Sequence, residues 1–330
     1  MTVTVTTAAD SRVGQSISLV LADGERRDLD ALVQHLARAA PSLVDDADWL
    51  DRALLASCRV PSRLIEAIRS FRHDAGVDGT LRVANLPLAV DALPPTPTVP
   101  DSVERRATAP ATIAVLLGQQ LGEVIAYRDE KHGSLVQNVV PVPALADSQS
   151  NGGSVPLEFH TENAFHPNRP DYVGLLCLRP AHEDRVGTRV AAIRRAYPLL
   201  GDADRTVLRE PRFATAAPPS FQSADHSDQH PVLTGGDDPD IRVDFHATSA
   251  VDSGAAAALS RLRDALTEVS ADLVLRPGEM VFLDNRLVVH GRSAFSPRYD
   301  GRDRWLHRVF VHLDNRRNRP RRIGGGSVLT

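Results

Sequence analysis

The spacing of apolar positions changes once, near residue 133, and divides the chain into two textures. Between residues 29 and 76, apolar side chains recur three and four apart in LDALVQHLARAA, DDADWLDRALLASC and PSRLIEAIRSFRHDAG, the spacing of amphipathic helices. The ends agree: acids open the second segment, and the third has Pro61 near its start and Gly76 just past its end. SISLVL before them and TLRVANLPL after them read as strands. Four prolines from Pro94 to Pro100 exclude regular structure in DALPPTPTVPDS, which reads as a loop across the core. APATIAVLLGQQLGEVIAY is apolar nearly all round, as a buried scaffold helix is.

Beyond residue 133 come short β-branched runs bounded by Gly, Pro, Asn or Asp: SLVQNVVPV, YVGLLCLR, DIRVDFHA, GEMVFLDN, LVVHGR and WLHRVFVHL. One helical segment, SGAAAALSRLRDALTEVS, interrupts them. Helices followed by many short strands indicate an α+β chain with a β-sandwich or jelly-roll core; periodicity does not separate the two. The expected organisation is a single domain over 1–330, with a helical part of about 1–130 packed on a core of about 131–315.

Composition narrows the function classes. The chain has 330 residues, 42% apolar and 24% charged, with a net charge of −4. That is ordinary for a soluble protein with a sizeable core. Charges of both signs are interleaved, which speaks against a nucleic-acid or membrane partner, and the basic tail DNRRNRPRRIGGG reads as a solvated terminus. MTVTVTTAADSR lacks the basic and apolar regions of a signal peptide, and no apolar run approaches the ~20 residues of a membrane span, so a cytoplasmic location is expected. Cys58 and Cys177 sit in apolar surroundings and read as buried thiols rather than a disulfide. Oligomeric state is not legible.

Four His-x-acid triplets compete as the seed of a metal site: His160-Thr-Glu162, His182-Glu-Asp184, His226-Ser-Asp228 and His312-Leu-Asp314. His312 has no later histidine to complete a set, His226 lies in the polar stretch SADHSDQHP, and His182 lies in a charged turn. His160 follows Phe159 and precedes the apolar run YVGLLCLR. In an extended strand His160 and Glu162 share a face, and His290 in LVVHGR is the best third ligand. Two imidazoles and a carboxylate leave one side of a metal open, which suits Fe(II) binding a cosubstrate and dioxygen; with no thiolate a structural zinc is disfavoured. Catalytic zinc on the same ligands, or histidines that serve the core, remain open on spacing alone. Arg304 and Arg308 in RYDGRDRWLHRVFV offer two guanidinium forks, matched to two neighbouring carboxylates and placed to clamp a dicarboxylate on the iron; surface arginines in a charged turn are the alternative.

FHTENAFHPNRPDYVGLLCLRP and LVVHGRSAFSPRYDGRDRWLHRVFV, with LPPTPTVPDSV and EKHGSLVQNVVPVP upstream, resemble the clavaminate synthase-like oxygenases, nearest the bacterial hydroxylases of free L-amino acids (the asparagine oxygenase and arginine hydroxylase group). The likeness covers roughly residues 90 to 315. It implies a double-stranded β-helix (jelly-roll) core wrapped by helices, with Fe(II), 2-oxoglutarate and O2 as the reacting partners. It implies His160, Glu162 and His290 as the iron ligands, with Glu where most of the wider superfamily has Asp. It further implies Arg304 on the distal carboxylate of 2-oxoglutarate, with Thr188 a candidate assistant by spacing. Arg308 would bind the substrate α-carboxylate, and Gln137, Glu130 and Glu162 would lie around its α-amino end. Asp244 would recognise the side chain. Arginine hydroxylases of the group resemble D-x-D there and asparagine oxygenases D-x-A, whereas this chain has Asp244-Phe-His246; on one strand those two would share a face. The substrate implied is a free polar L-amino acid (arginine, citrulline, lysine or asparagine-like), hydroxylated on an unactivated carbon in specialised-metabolite or antibiotic biosynthesis. Desaturation, cyclisation, a carrier-tethered substrate, and a metal-binding jelly-roll module without turnover stay as alternatives.

Overall fold

The computed structural model describes residues 17–183, 186–218, 221 and 227–330. The reading of residues 1–12 as lacking a signal peptide, and those made on Asp184 and His226, lie outside the described residues. Among the described residues no helix is long and apolar enough to cross a membrane.

In chain order the main elements are β1 (Ile17–Val20), α1 (Asp23–Ala37), α2 (Ala47–Ser57), α3 (Ser62–His73), β2 (Thr80–Ala84), α4 (Ala109–Leu121), β3 (Glu123–Tyr127), β4 (Gln137–Val139), β5 (Leu157–His160), β6 (Tyr172–Arg179), β7 (Thr188–Ala192), α5 (Ser253–Glu268), β8 (Ala271–Leu273), β9 (Met280–Asp284), β10 (Val288–Arg292), β11 (Trp305–His312) and β12 (Val328–Leu329), with short helices and strands between β7 and α5. The Asp46 side chain accepts from Trp49 N and starts α2; Asp252 does the same for α5 through Ala255 N. Leu64, Ile68 and Phe71 on one face of α3 are fully buried, each contributing ~1.5–3 kcal/mol. The scaffold helix α4 is buried nearly all round, against α1, α2 and α3 on one side and β11 and β6 on the other.

Helix α4 ends sooner than its apolar run. Gly122 lies so close to the His312 carbonyl that a Cβ would collide with it, and the chain turns there into β3 beside β11. EVIAY is therefore strand, not helix. Of DIRVDFHA only Asp240–Ile241 is strand. Cys177 is buried as expected, but Cys58 is exposed at the end of α2. The basic tail turns back, and β12 pairs in parallel with β3.

Two sheets carry the site. The larger runs β1-β2-β9-β6-β11-β3-β12, with β4 beside β3 on the same edge of β11. The smaller runs β8-β7-β10-β5. Strand β11 is antiparallel to β6 and to β4, which puts Arg308 between Leu175 and Gln137. In the smaller sheet His290 stands opposite His160 on β5 and Val190 on β7.

Candidate active site

The ladder between β10 and β5 slips between His290 and Arg292, so two residues of β5, Glu158 and Phe159, face one of β10, Gly291. Such a bulge re-aims side chains next to a site. Gly291 permits it, because a Cβ there would lie 2.5 Å from the Leu157 carbonyl oxygen. The turned Glu158 carbonyl meets His160 Nδ1 at 2.9 Å. That contact favours a proton on Nδ1 and leaves Nε2 bare, the arrangement usual for a metal-bound histidine. The His160 and His290 rings lie 4.4 Å apart, and His290 Nε2 is 3.4 Å from Glu162 Oε2. Glu162 Oε2 and His290 Nδ1 are buried and have no hydrogen-bond partner among the described residues. Ligand atoms from the three residues cluster within 4.8 Å. A bare carboxylate oxygen that faces one imidazole nitrogen beyond hydrogen-bond range, with a second imidazole alongside, fits a divalent cation of the iron class.

Glu162 is positioned by residues that sequence reasoning missed. Asn285 accepts from Glu162 N (2.7 Å) through its side-chain oxygen and donates to Glu162 O (3.1 Å) and Pro170 O (2.8 Å). Thr161 N is tied to Val243 O at 2.7 Å, and Asn163 adopts φ 52°. A left-handed non-glycine residue beside a site stores strain that the surroundings must hold. Burial pushes the Glu162 carboxyl up, but Arg308, His290 and His160 together hold it well below the usual carboxylate range.

The two arginines have opposite surroundings. Arg304 is buried, and its only hydrogen bond among the described residues is to Thr188 Oγ1 at 3.4 Å. A small cavity beside it is lined by Cys177, Val186, Thr188, Leu275 and Leu306. Burial lowers the Arg304 pKa to about 10, and among the described residues no carboxylate lies against it. Arg308 is also buried, yet its Nη1 donates to Glu162 Oε1 at 2.8 Å, its Nη2 to Glu130 and its Nε to Gln137 Oε1 at 3.1 Å. Asn151, also missed, faces Arg308 with its amide oxygen at 2.7 Å once its amide is turned to suit the guanidinium. Desolvation opposes the Arg308 charge, but Glu162 and Glu130 outweigh it and raise the pKa. Burial raises Glu130, against the pull of Arg308.

Asp244 forms a bridge with His160, so it borders the same site. Its Oδ1 accepts from His246 N (2.8 Å) and Ala247 N (3.1 Å), closing a turn. His246 is therefore exposed on that turn and does not share a strand face with Asp244. The two-residue alternation fails because the strand ends before it. Thr188, placed only by spacing, meets Arg304 directly.

The profile of the taurine catabolism dioxygenase TauD, TfdA family matches residues 111–310. The chain is 45% identical over 303 residues to an L-asparagine oxygenase of Streptomyces coelicolor, covering 91% of each chain. It is 34% identical over 324 residues to an L-lysine 3-hydroxylase of Catenulispora acidiphila, covering 96% of this chain and 89% of that one. A solved structure of asparagine oxygenase in complex with Fe(II), 2S,3S-3-hydroxyasparagine and succinate superposes with a TM-score of 0.93 at 44% identity, covering 94% of this chain and 98% of that one.

Proposed function

The chain belongs to the taurine catabolism dioxygenase TauD, TfdA family, and from that premise we propose that His160, Glu162 and His290 hold its Fe(II) while Arg304 and Thr188 hold the far carboxylate of 2-oxoglutarate. It is an iron- and 2-oxoglutarate-dependent oxygenase that hydroxylates an amino acid. Its two sheets are the walls of a double-stranded β-helix. When bound, iron couples oxidative decarboxylation of 2-oxoglutarate, to succinate and CO2, to oxidation of a substrate C–H bond by dioxygen.

The observation that carries the assignment is the contrast between the arginines. Arg304 is a buried cation with no anion beside it among the described residues, which suits a ligand carboxylate. Arg308 is a buried cation already shared between Glu130 and Glu162. A free amino acid carries both charges needed to enter that pair. Its α-carboxylate takes the Arg308 fork from Glu130, and the released Glu130, with Gln137, receives the α-ammonium. The exchange leaves no buried charge unpaired, the condition a buried ion pair must meet. Glu162 keeps one oxygen on Arg308, so its other oxygen stays turned towards His290.

At the side-chain end, Asp244 spends Oδ1 on its own turn and keeps Oδ2 for a donor. A substrate side chain with N–H groups satisfies it, and an aliphatic one does not. L-Asparagine is the first candidate, supported by the identity to the Streptomyces enzyme, with lysine, arginine and citrulline following. The test is a panel of free L-amino acids with Fe(II) and 2-oxoglutarate, including the N-acetyl and α-amide forms of each. A gain of one oxygen by one free amino acid, and by neither blocked form, is expected. Equal turnover of the N-acetyl form contradicts the exchange at Arg308.

A further inference from the structure

His182, Asp300 and Asp303 converge beside the cosubstrate cavity. His182 directly follows Ala181, which lines that cavity, and Asp303 directly precedes Arg304. His182 Nε2 lies 3.4 Å from Asp303 Oδ1 and 3.6 Å from Asp300 Oδ1. The Asp303 side chain is only 1% exposed. Its Oδ1 accepts from Arg298 N at 2.7 Å, while Oδ2 is buried without a hydrogen-bond partner among the described residues, as is His182 Nε2. Asp300 is exposed, and its Oδ1 accepts from Arg302 N at 2.8 Å.

A bare carboxylate oxygen in a buried position needs a partner. The imidazole instead faces the other carboxylate oxygens, Asp303 Oδ1 and Asp300 Oδ1, and at 3.4 and 3.6 Å it lies beyond the usual N–H···O range of either. Those separations match the edge of a tetrahedron, about 3.4 Å, around a cation held by bonds of ~2.0–2.2 Å. The iron triad has the same separation, 3.4 Å between His290 Nε2 and Glu162 Oε2, and likewise holds one buried carboxylate oxygen without a hydrogen-bond partner among the described residues. We propose that His182, Asp300 and Asp303 form a second divalent-cation site, separate from the iron site. One imidazole and two carboxylates select a borderline cation, for which Zn(II) is the probe, and the exposed side of Asp300 leaves room for water as a further ligand. Such an ion ties the segment 180–183 to the loop 299–303 that delivers Arg304.

The test is Zn(II) retained per chain by metal-free protein after gel filtration. Wild type is expected to hold two equivalents, His182→Ala one, His160→Ala one, and the double variant none. Asp300→Asn, on an exposed side chain, should also lose the second equivalent, with circular dichroism confirming that each variant is folded. Full retention of zinc by both His182→Ala and Asp300→Asn overturns the site, as does a single wild-type equivalent lost in His160→Ala alone. A single equivalent lost in His182→Ala but kept in His160→Ala upholds this site and counts against the triad.

Discussion

Replacing Arg304 by methionine should weaken the cosubstrate and spare the fold, whereas the same change at Arg308 should damage the fold. The two positions lie four apart on one chain segment, so their difference comes from surroundings. Burial lowers the Arg304 pKa from 12.5 to about 10, which corresponds to ~3 kcal/mol against the charged form. Arg304→Met removes that penalty and one long hydrogen bond to Thr188. The unloaded fold should lie between unchanged and ~3 kcal/mol more stable, the range for replacing buried charge with apolar bulk. A charge-assisted contact to 2-oxoglutarate is worth ~1.5–3 kcal/mol, so the KM for 2-oxoglutarate should rise about 10- to 100-fold. Arg308→Met instead strands Glu130 and Glu162 in the interior, and breaking a buried pair costs about 3–5 kcal/mol. Urea unfolding of the metal-free variants at pH 7, with succinate formation at varied 2-oxoglutarate for Arg304→Met, reads both effects. If Arg304→Met unfolds several kcal/mol more easily than wild type, or keeps its 2-oxoglutarate KM within twofold, the assignment of a ligand-awaiting cation is refuted.

Asp244→Asn keeps an oxygen for the His246 and Ala247 amides but turns a donor towards the substrate; the amino acid KM should rise at least ~10-fold by loss of a charged hydrogen bond with the 2-oxoglutarate KM unchanged. Equal shifts in both constants would mean a general disturbance of the site. Gly291→Ala drives a Cβ into the Leu157 carbonyl at 2.5 Å, so it should destabilise the fold by ~1–3 kcal/mol and weaken iron binding; unaltered iron retention would show that the approach of β5 to β10 does not set ligand geometry. His307 is fully buried, and burial lowers its pKa to about 3. The unfolded chain takes up its proton below pH 6.5 while the fold refuses it, so the stability is full above pH 6.5 and lost as pH falls towards 3. In His307→Leu, urea unfolding between pH 6 and pH 5 should show a slope ~1 kcal/mol per pH unit shallower than wild type, and an unchanged slope would contradict the assignment.

The buried strands β6, β9, β10 and β11 were legible because their apolar runs end at Gly, Asp or Pro. His160 and His290 were legible as the ends of such runs. What stayed hidden depends on contacts distant in sequence. Asn285 holds Glu162 across 123 positions, and nothing in DNRLVVHG distinguishes it from a turn residue. Asn151 lies in a polar stretch whose composition says only that it is a loop. Strand β5 is four residues long and bulged, too short and irregular for a period-2 signal. The alternation applied to Asp244 and His246 failed because a turn closed by Asp244's own carboxylate replaces the strand there. His182 reads as a charged turn because both its acidic partners lie more than 100 residues away.

The central claim is tested most directly by running the reaction under ¹⁸O₂ with Fe(II), 2-oxoglutarate and the amino acid selected from the panel. One ¹⁸O in the hydroxylated amino acid and one in succinate, with the two products formed in equal amounts, is the predicted result. An unlabelled hydroxyl group, or amino acid oxidation without succinate, would contradict it.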